Sequence, residues 1–366
     1  MAFIQRIKAL RHELWLLFWR KMPLKKNKVI LWSDNFKTFG CSPKYIALEL
    51  AKSGQWDVVW VLERGKAVPE VPGMRFVPYF SMKYLKEIAT AKFIVCNHRT
   101  SAYHYFKKRK GQVYIQTWHS SLRLKMIEKD APMLPQSYVD TAKADSRKID
   151  LLLSGCRFSS EIFRRAFWYD GQILEQGTPR CDGLFGDGSA VKEKVYSFYG
   201  IEPGKKLALY APTFRDDPGY SYGLDFDAFA KALGTDWVVG CRLHPKFDGK
   251  NLEGAIPMSG YPDMQELLIA CDRLVTDYSS SMFDMAVAGK QCCLFVPDLA
   301  AYTAGDRGLY FDIRKLPFPV AEDMQSLCRL DFDAYEERRL AFLAQIGSFE
   351  NGHAAENVVK WMQSAN

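Results

Sequence analysis

The stretch Leu274-Val275-Thr276-Asp277-Tyr278-Ser279-Ser280-Ser281 passes from a short apolar run into a cluster of hydroxyls and one carboxylate, and residues 281–288 carry a helical pattern. A brief β-rich run, a polar bend and a helix make one βα unit, with the polar residues at the carboxyl end of the strand. Working outward, the same unit recurs. Apolar runs at 207–210, 237–242 and 293–296 alternate with helical patterns at 226–233 and 264–270. Upstream, runs at 29–32, 58–62, 93–96, 113–117, 151–154 and 173–175 alternate with helical patterns at 43–53, 82–91 and 159–167. Strands regularly separated by helices build parallel sheets, so the fold class is α/β.

The glycine-rich stretch 183–190 interrupts the alternation and reads as a linker between a first domain, 28–182, and a second, 191–349. A length of 366 residues, at about 150 per domain, gives the same count of two. The tail, 350–366, holds a last helical pattern at 353–363 that is expected to pack back on the first domain. With 48% hydrophobic and 25% charged residues the chain has the material of a core, which excludes disorder as its main state. Nine cysteines, scattered and never spaced as C-x-x-C, argue against a zinc ribbon or a disulfide scaffold and read as thiols packed as small hydrophobes.

Charge is distributed unevenly. Residues 1–28 hold eight basic side chains against Glu13 alone, so +7 of the net +8 lies there. A nucleic-acid binder spreads a basic face over its folded body, so no nucleic-acid partner is expected. Phe3, Ile7, Leu10, Leu14 and Leu17, with Phe18 beside them, recur at helical steps, so 1–27 is expected to be an amphipathic basic helix lying on an anionic membrane surface. Its apolar run is too short to span a bilayer.

No phosphate loop of the G-x-x-x-x-G-K-[ST] or G-x-G-x-x-G kind is present, which removes kinase, GTPase and nicotinamide-dehydrogenase readings. Four polar clusters instead sit at strand ends, where open α/β sheets bind ligands. They are Thr117-Trp118-His119-Ser120-Ser121, Pro212-Thr213-Phe214-Arg215, Arg242-Leu243-His244-Pro245 and the opening cluster itself. A neutral imidazole at His119 or His244 is suited to take a proton from a hydroxyl, and Arg215 and Arg242 have the forked donors that phosphate oxygens accept. Ser279 and Ser280, at a helix start, add hydroxyls where an anion is favoured. The pairs Asp225/Asp227 and Asp331/Asp333 have the D-x-D form, but each stands at a helix start rather than a strand end, so no metal and no other cofactor is expected.

At these residues the chain resembles the CDP-glycerol glycerophosphotransferase family of teichoic-acid and capsule polymer synthesis. Gln116-Thr117-Trp118-His119, Lys125 and Lys129-Asp130 resemble one motif, and Gly177-Thr178-Pro179-Arg180-Cys181-Asp182 is similar to the family's G-x-P-R-N-D. Tyr210-Ala211-Pro212-Thr213-Phe214-Arg215-Asp216 matches Y-A-P-T-[WF]-R-D, Arg242-Leu243-His244-Pro245 matches R-x-H-P, and Thr276-Asp277-Tyr278-Ser279-Ser280 with Phe283-Asp284 matches T-D-Y-S-S-x-x-F-D. Ser42-Pro43-Lys44-Tyr45 is similar to an acceptor-side N-P-K-Y. Ser120 departs from the usual glycine, narrowing the space beside His119, and Cys181 stands in place of asparagine.

The resemblance implies a GT-B-like fold of two facing Rossmann-like domains. It implies that an acceptor hydroxyl attacks the phosphorus next to glycerol in CDP-glycerol and expels CMP, the acceptor being a polymer or lipid-linked chain at the cytoplasmic face of a bacterial plasma membrane. His119 and His244 take catalytic roles in this scheme. Thr213, Arg215, Arg242, Asp277, Ser279, Ser280 and Asp284 face the donor, and Trp118, Ser120, Lys125 and Arg180 lie on the acceptor side. The rival readings are a GT-B glycosyltransferase using a nucleotide sugar, a CDP-ribitol enzyme and a non-catalytic scaffold.

Overall fold

The computed structural model describes residues 2–100, 107–213, 215, 223–243, 252–303 and 308–365, with the backbone alone at 2–10. Among them, seven parallel strands make one sheet: β1 Lys25–Trp32, β2 Asp57–Leu62, β3 Met74–Pro78, β4 Ala91–Cys96, β5 Val113–Gln116, β6 Leu151–Leu153 and β7 Gln172–Leu174. Six more make a second: β8 Lys206–Tyr210, β9 Trp237–Cys241, β10 Ile256–Pro257, β11 Arg273–Thr276, β12 Gln291–Phe295 and β13 Val320–Ala321. The first runs in the order β3-β2-β1-β4-β5-β6-β7 and the second β10-β9-β8-β11-β12-β13. Both are the doubly wound Rossmann order, in which the strand sequence reverses beside the first strand and opens a crevice at the carboxyl ends.

The helices on the first sheet are α1 Ala2–Trp19, α2 Cys41–Lys52, α3 Met82–Thr90, α4 Gln136–Ser146 and α5 Arg157–Ala166. On the second are α6 Ser189–Tyr199, α7 Phe226–Leu233, α8 Met264–Ala270, α9 Ser281–Ala288, α10 Leu299–Thr303, α11 Met324–Leu327 and α12 Tyr335–Ile346, and α13 Ala354–Ser364 closes the chain. Alternation along β1 shows why its apolar run is continuous. Ile30 and Trp32 enter the core under α1 and α3, while Val29 and Leu31 enter the core under α2 and α13. Both faces of the strand are therefore covered, the usual state of a parallel sheet.

A 3-10 turn spans Pro179–Leu184 and helix α6 starts at Ser189, so both ends of the glycine-rich stretch lie in helical turns and 185–188 joins them. Helix α13 sends Val358 and Met362 into the core that Ile46 and Leu50 of α2 also fill, so the end of the chain returns to the first sheet. In α1, His12 and Leu16 are buried, whereas Leu14, Trp15, Leu17 and Phe18 point away from the body. Among the described residues no helix is long and apolar enough to cross a membrane.

Candidate active site

β5 delivers one wall of the site. Its last residue, Gln116, turns its side-chain carbonyl to accept the Trp118 N–H at 2.9 Å, while Thr117 donates its hydroxyl to the Trp118 carbonyl at 2.8 Å. The bend holds Trp118 in left-handed backbone, φ 54°, which costs a non-glycine residue about 1–3 kcal/mol. It presents the next side chain. The His119 ring stacks on Trp118 at 4.4 Å and on His98 at 4.8 Å. Its Nδ1 lies 3.2 Å from the Asn97 carbonyl oxygen, which only accepts, so Nδ1 carries the proton and Nε2 keeps its lone pair. Burial, and then the neighbouring His98, push the His119 pKa down to about 3, so the ring stays neutral at physiological pH. Behind it, His98 meets the Asn97 side-chain oxygen at 2.8 Å and Asn97 donates to Asp34 at 3.0 Å, so the switch point between β1 and β4 supports the His119 ring.

The facing wall comes from the second switch point, between β8 and β11. Asp277 accepts the Thr213 N–H at 2.7 Å and pairs with Arg215 at 2.9 Å. Arg215 also pairs with Asp298 at 3.0 Å and donates to the Thr213 carbonyl at 2.8 Å, lying against the stacked rings of Tyr278 and Tyr302. Asp277 and Arg215 therefore shape the loops that carry Thr213 and Tyr278. Ser279 and Ser280 stand at the start of α9, with Ser280 in the N-cap position and its side chain making no cap hydrogen bond. A helix start combines free amides with the positive end of the macrodipole, so an anion is favoured there.

Between the walls lies a cavity of about 370 Å³. Trp118, His119, Ser120, Arg123 and Lys125 line it from the first unit, and Thr213, Tyr278, Ser279 and Ser280 from the second. Two other clefts are larger, 540 Å³ beside His12 and Phe80 and 660 Å³ beside Leu299 and Phe311, but neither is bounded by the strand ends of both sheets.

Other motif residues are placed differently. Arg180 pairs with Asp284 at 2.6 Å and also donates to Gln265 at 2.9 Å and to the His119 carbonyl, while Ser121 donates to Asp284 at 2.8 Å. The two form the bolt between the units. Lys44, of the N-P-K-Y-like segment, pairs across the same junction with Asp263 at 2.5 Å and Glu266 at 2.8 Å. Arg242 donates to the carbonyls of Met258 and Tyr261 at 3.2 and 2.7 Å, and burial lowers its pKa. His244 lies outside the described residues. Asp225 caps α7 by accepting from the Ala228 N–H, and Asp331 accepts from the Asp333 N–H, so each D-x-D pair serves its local turn.

Sequence reading passed over Asn97, His98 and Arg123. The first two follow β4 as a polar strand end, the same signal that marks the other clusters. Arg123 gives no signal in sequence, because its environment is made by distant residues.

Residues 14–363 match the family described as CDP-Glycerol:Poly(glycerophosphate) glycerophosphotransferase. The chain is 32% identical over 316 residues to the teichoic acid poly(glycerol phosphate) polymerase of Bacillus subtilis (strain 168), a match covering 81% of this chain and 42% of that one. It thus spans less than half the length of that relative. It is 30% identical over 381 residues to the teichoic acid glycerol-phosphate transferase of Staphylococcus aureus (strain NCTC 8325 / PS 47), covering 96% of this chain and 97% of the other. The solved structure of the wall teichoic acid polymerase TagF superposes with a TM-score of 0.88 at 30% identity, over 99% of this chain and 94% of that chain. The GT-B-like arrangement and the match over nearly all its length agree, and the chain belongs to the CDP-glycerol:poly(glycerophosphate) glycerophosphotransferase family.

Proposed function

We propose that the protein transfers glycerol phosphate from CDP-glycerol to a hydroxyl of a polymer or lipid-linked acceptor, releasing CMP, in the synthesis of a teichoic-acid-like or capsule polymer. The observation that carries this is the cavity that places a neutral imidazole, His119, opposite the start of α9 with Thr213, Ser279 and Ser280. In this reading Nε2 of His119 takes the proton of the attacking hydroxyl as the oxygen closes on the phosphorus that bears glycerol. The bond from that phosphorus to the oxygen bridging to CMP breaks, and the leaving phosphate is stabilised by α9 and the hydroxyls beside it. Stabilisation by fixed donors needs no obligatory metal, so activity is expected to survive EDTA.

The assay incubates the protein with CDP-glycerol, CDP-ribitol and a panel of nucleotide sugars, with lipid-linked and oligosaccharide acceptors, and identifies products by mass spectrometry. CMP release with an added mass of glycerol phosphate is the expected result. Turnover of a nucleotide sugar with none of CDP-glycerol overturns the reading, and turnover of CDP-ribitol alone changes the polyol.

The same reading places the protein on the inner face of the plasma membrane. Leu14, Trp15, Leu17 and Phe18 are 59, 41, 59 and 52% exposed on one side of α1, beside Arg20, Lys21, Lys25 and Lys26. An apolar ridge flanked by cations suits an anionic bilayer surface.

A further inference from the structure

Arg123 stands four residues after His119 on the wall of the same cavity and is only 4% exposed. None of its three guanidinium nitrogens has a hydrogen-bond partner. Its planar group lies over the Phe163 ring, 4.3 Å from the centroid. Two other largely buried arginines behave differently. Arg99 pairs with Glu128 at 3.0 Å and Asp145 at 3.5 Å, and Arg180 pairs with Asp284 at 2.6 Å.

The groups that act electrostatically on Arg123 are Cys156 and Tyr310, both kept in their neutral forms at physiological pH by burial. Burial pushes the Arg123 pKa down to about 10, which still leaves it protonated at neutral pH. A buried cation without a counter-charge is unfavourable, and a structural role on Phe163 could be filled by an uncharged chain of similar length. Across the cavity the Thr213 hydroxyl is likewise buried without a partner. Arg215, by contrast, already faces two carboxylates.

We propose that Arg123 is the receptor for a phosphate oxyanion of a substrate, and that its guanidinium gains its hydrogen-bond partners when that group enters the cavity. The proposal rests on the transfer reaction above and deepens it. The oxyanion has two sources, the diphosphate of the nucleotide donor and a phosphodiester in the terminal unit of the acceptor. The planar fork of arginine suits either, through paired charge-assisted hydrogen bonds.

The test uses the full chain with Arg123→Met and Arg123→Lys. In phosphate-free buffer R123M is expected to melt at or above the wild-type temperature, since it removes an uncompensated charge. A marked fall in Tm means the guanidinium already has stabilising partners, and overturns the proposal. Adding inorganic phosphate or pyrophosphate is expected to raise the Tm of the wild type and leave that of R123M unchanged; equal shifts in both overturn it.

In turnover, R123M is expected to raise one KM by roughly 10- to 100-fold, with R123K recovering part of the loss. A rise for CDP-glycerol assigns the donor diphosphate. A rise for a phosphodiester-bearing acceptor, absent for an acceptor without phosphate, assigns the acceptor. Unchanged KM for both substrates overturns the proposal. Should the wild type turn over no CDP-glycerol at all, the reading of the reaction fails, and the phosphate-dependent Tm still decides the site.

Discussion

The Nδ1 of His119 lies 3.2 Å from the carbonyl oxygen of Asn97, and this one contact settles which ring nitrogen is basic. The Asn97 carbonyl belongs to the strand end of β4, at the switch point of the first sheet, so the tautomer of His119 is a property of the fold. His119→Ala is expected to cut kcat by ~10² or more while CDP-glycerol still binds, because the nucleotide is read as lying on the other wall. Turnover and calorimetric donor binding, measured together, check this. A variant with normal turnover removes His119 from the mechanism.

The pH profile follows from the direction of the shift. Burial holds the His119 pKa well below the ordinary histidine value, down to about 3, so the basic form is complete above that value and is lost only as pH falls through it. The acid limb of kcat/KM, which reports the free enzyme, is therefore expected well below pH 6. A limb near 6.5 would show that His119 titrates as an ordinary exposed ring.

The bolt between the units makes a stability prediction. Asp284 is 1% exposed and Arg180 pairs with it at 2.6 Å, so Asp284→Ala leaves a buried cation and is expected to cost about 3–5 kcal/mol. The double variant with Arg180→Met should cost clearly less than the sum of the single changes. Denaturant midpoints measure both. Because Arg180 also holds the His119 carbonyl, kcat should fall in the same variants.

Glu350 supplies a second pH signature. It accepts from the Thr178 N–H at 2.9 Å and from the Thr178 hydroxyl at 2.6 Å, yet burial, together with Asp284 and Asp182 nearby, pushes its pKa up to about 8. A carboxyl whose folded pKa exceeds its unfolded one costs stability as pH rises from about 4.5 to 8. Glu350→Gln should therefore raise Tm more at pH 8 than at pH 5. Equal effects at the two pH values would contradict the shift.

Membrane attachment is best tested without removing α1, because His12 and Leu16 pack on the body. Leu14→Ser, Leu17→Ser and Phe18→Ser together should preserve Tm and donor binding but abolish sedimentation with anionic vesicles. High salt should release part of the wild-type protein by screening. Equal sedimentation of variant and wild type would rule out this face as the anchor.

Much of the fold is legible in the sequence because the apolar runs are punctuated by caps. The helices 226–233 and 264–270 begin after Asp225 and Asp263, each of which accepts an N–H of the first turn. Helix α4, with the sequence QSYVDTAKADS, buries only Ala142 among its apolar residues and so shows no stripe. β3 is a half-exposed edge strand ending in Pro78, and β10 and β13 have two residues each, too few for any period. Within the site, His119, Thr213, Ser279 and Ser280 are visible because strand ends concentrate polar residues. That Arg180 binds Asp284 is not visible, since the two are 104 residues apart and meet only when the sheets face each other. Arg123 is hidden in the same way, because the Phe163 ring it lies on is far along the chain, and the partner it lacks leaves no further mark.

Among the described residues, the polypeptide passes between the two units at 185–188, before α6, and again at 347–353, between α12 and α13. The crossings run side by side: Asp182 accepts the N–H groups of Ala354 and Ala355 at 3.0 and 2.7 Å, and a side chain at Gly352, φ 82°, would strike Phe185. Beside these crossings, Arg180 with Asp284 and Lys44 with Asp263 also tie the units together. Ser121, two residues after His119, reaches Asp284 on the helix that Ser279 and Ser280 precede. The spacing of His119 from Ser279 is thus set by a short relay of side chains, and a substitution in that relay is felt on both walls at once.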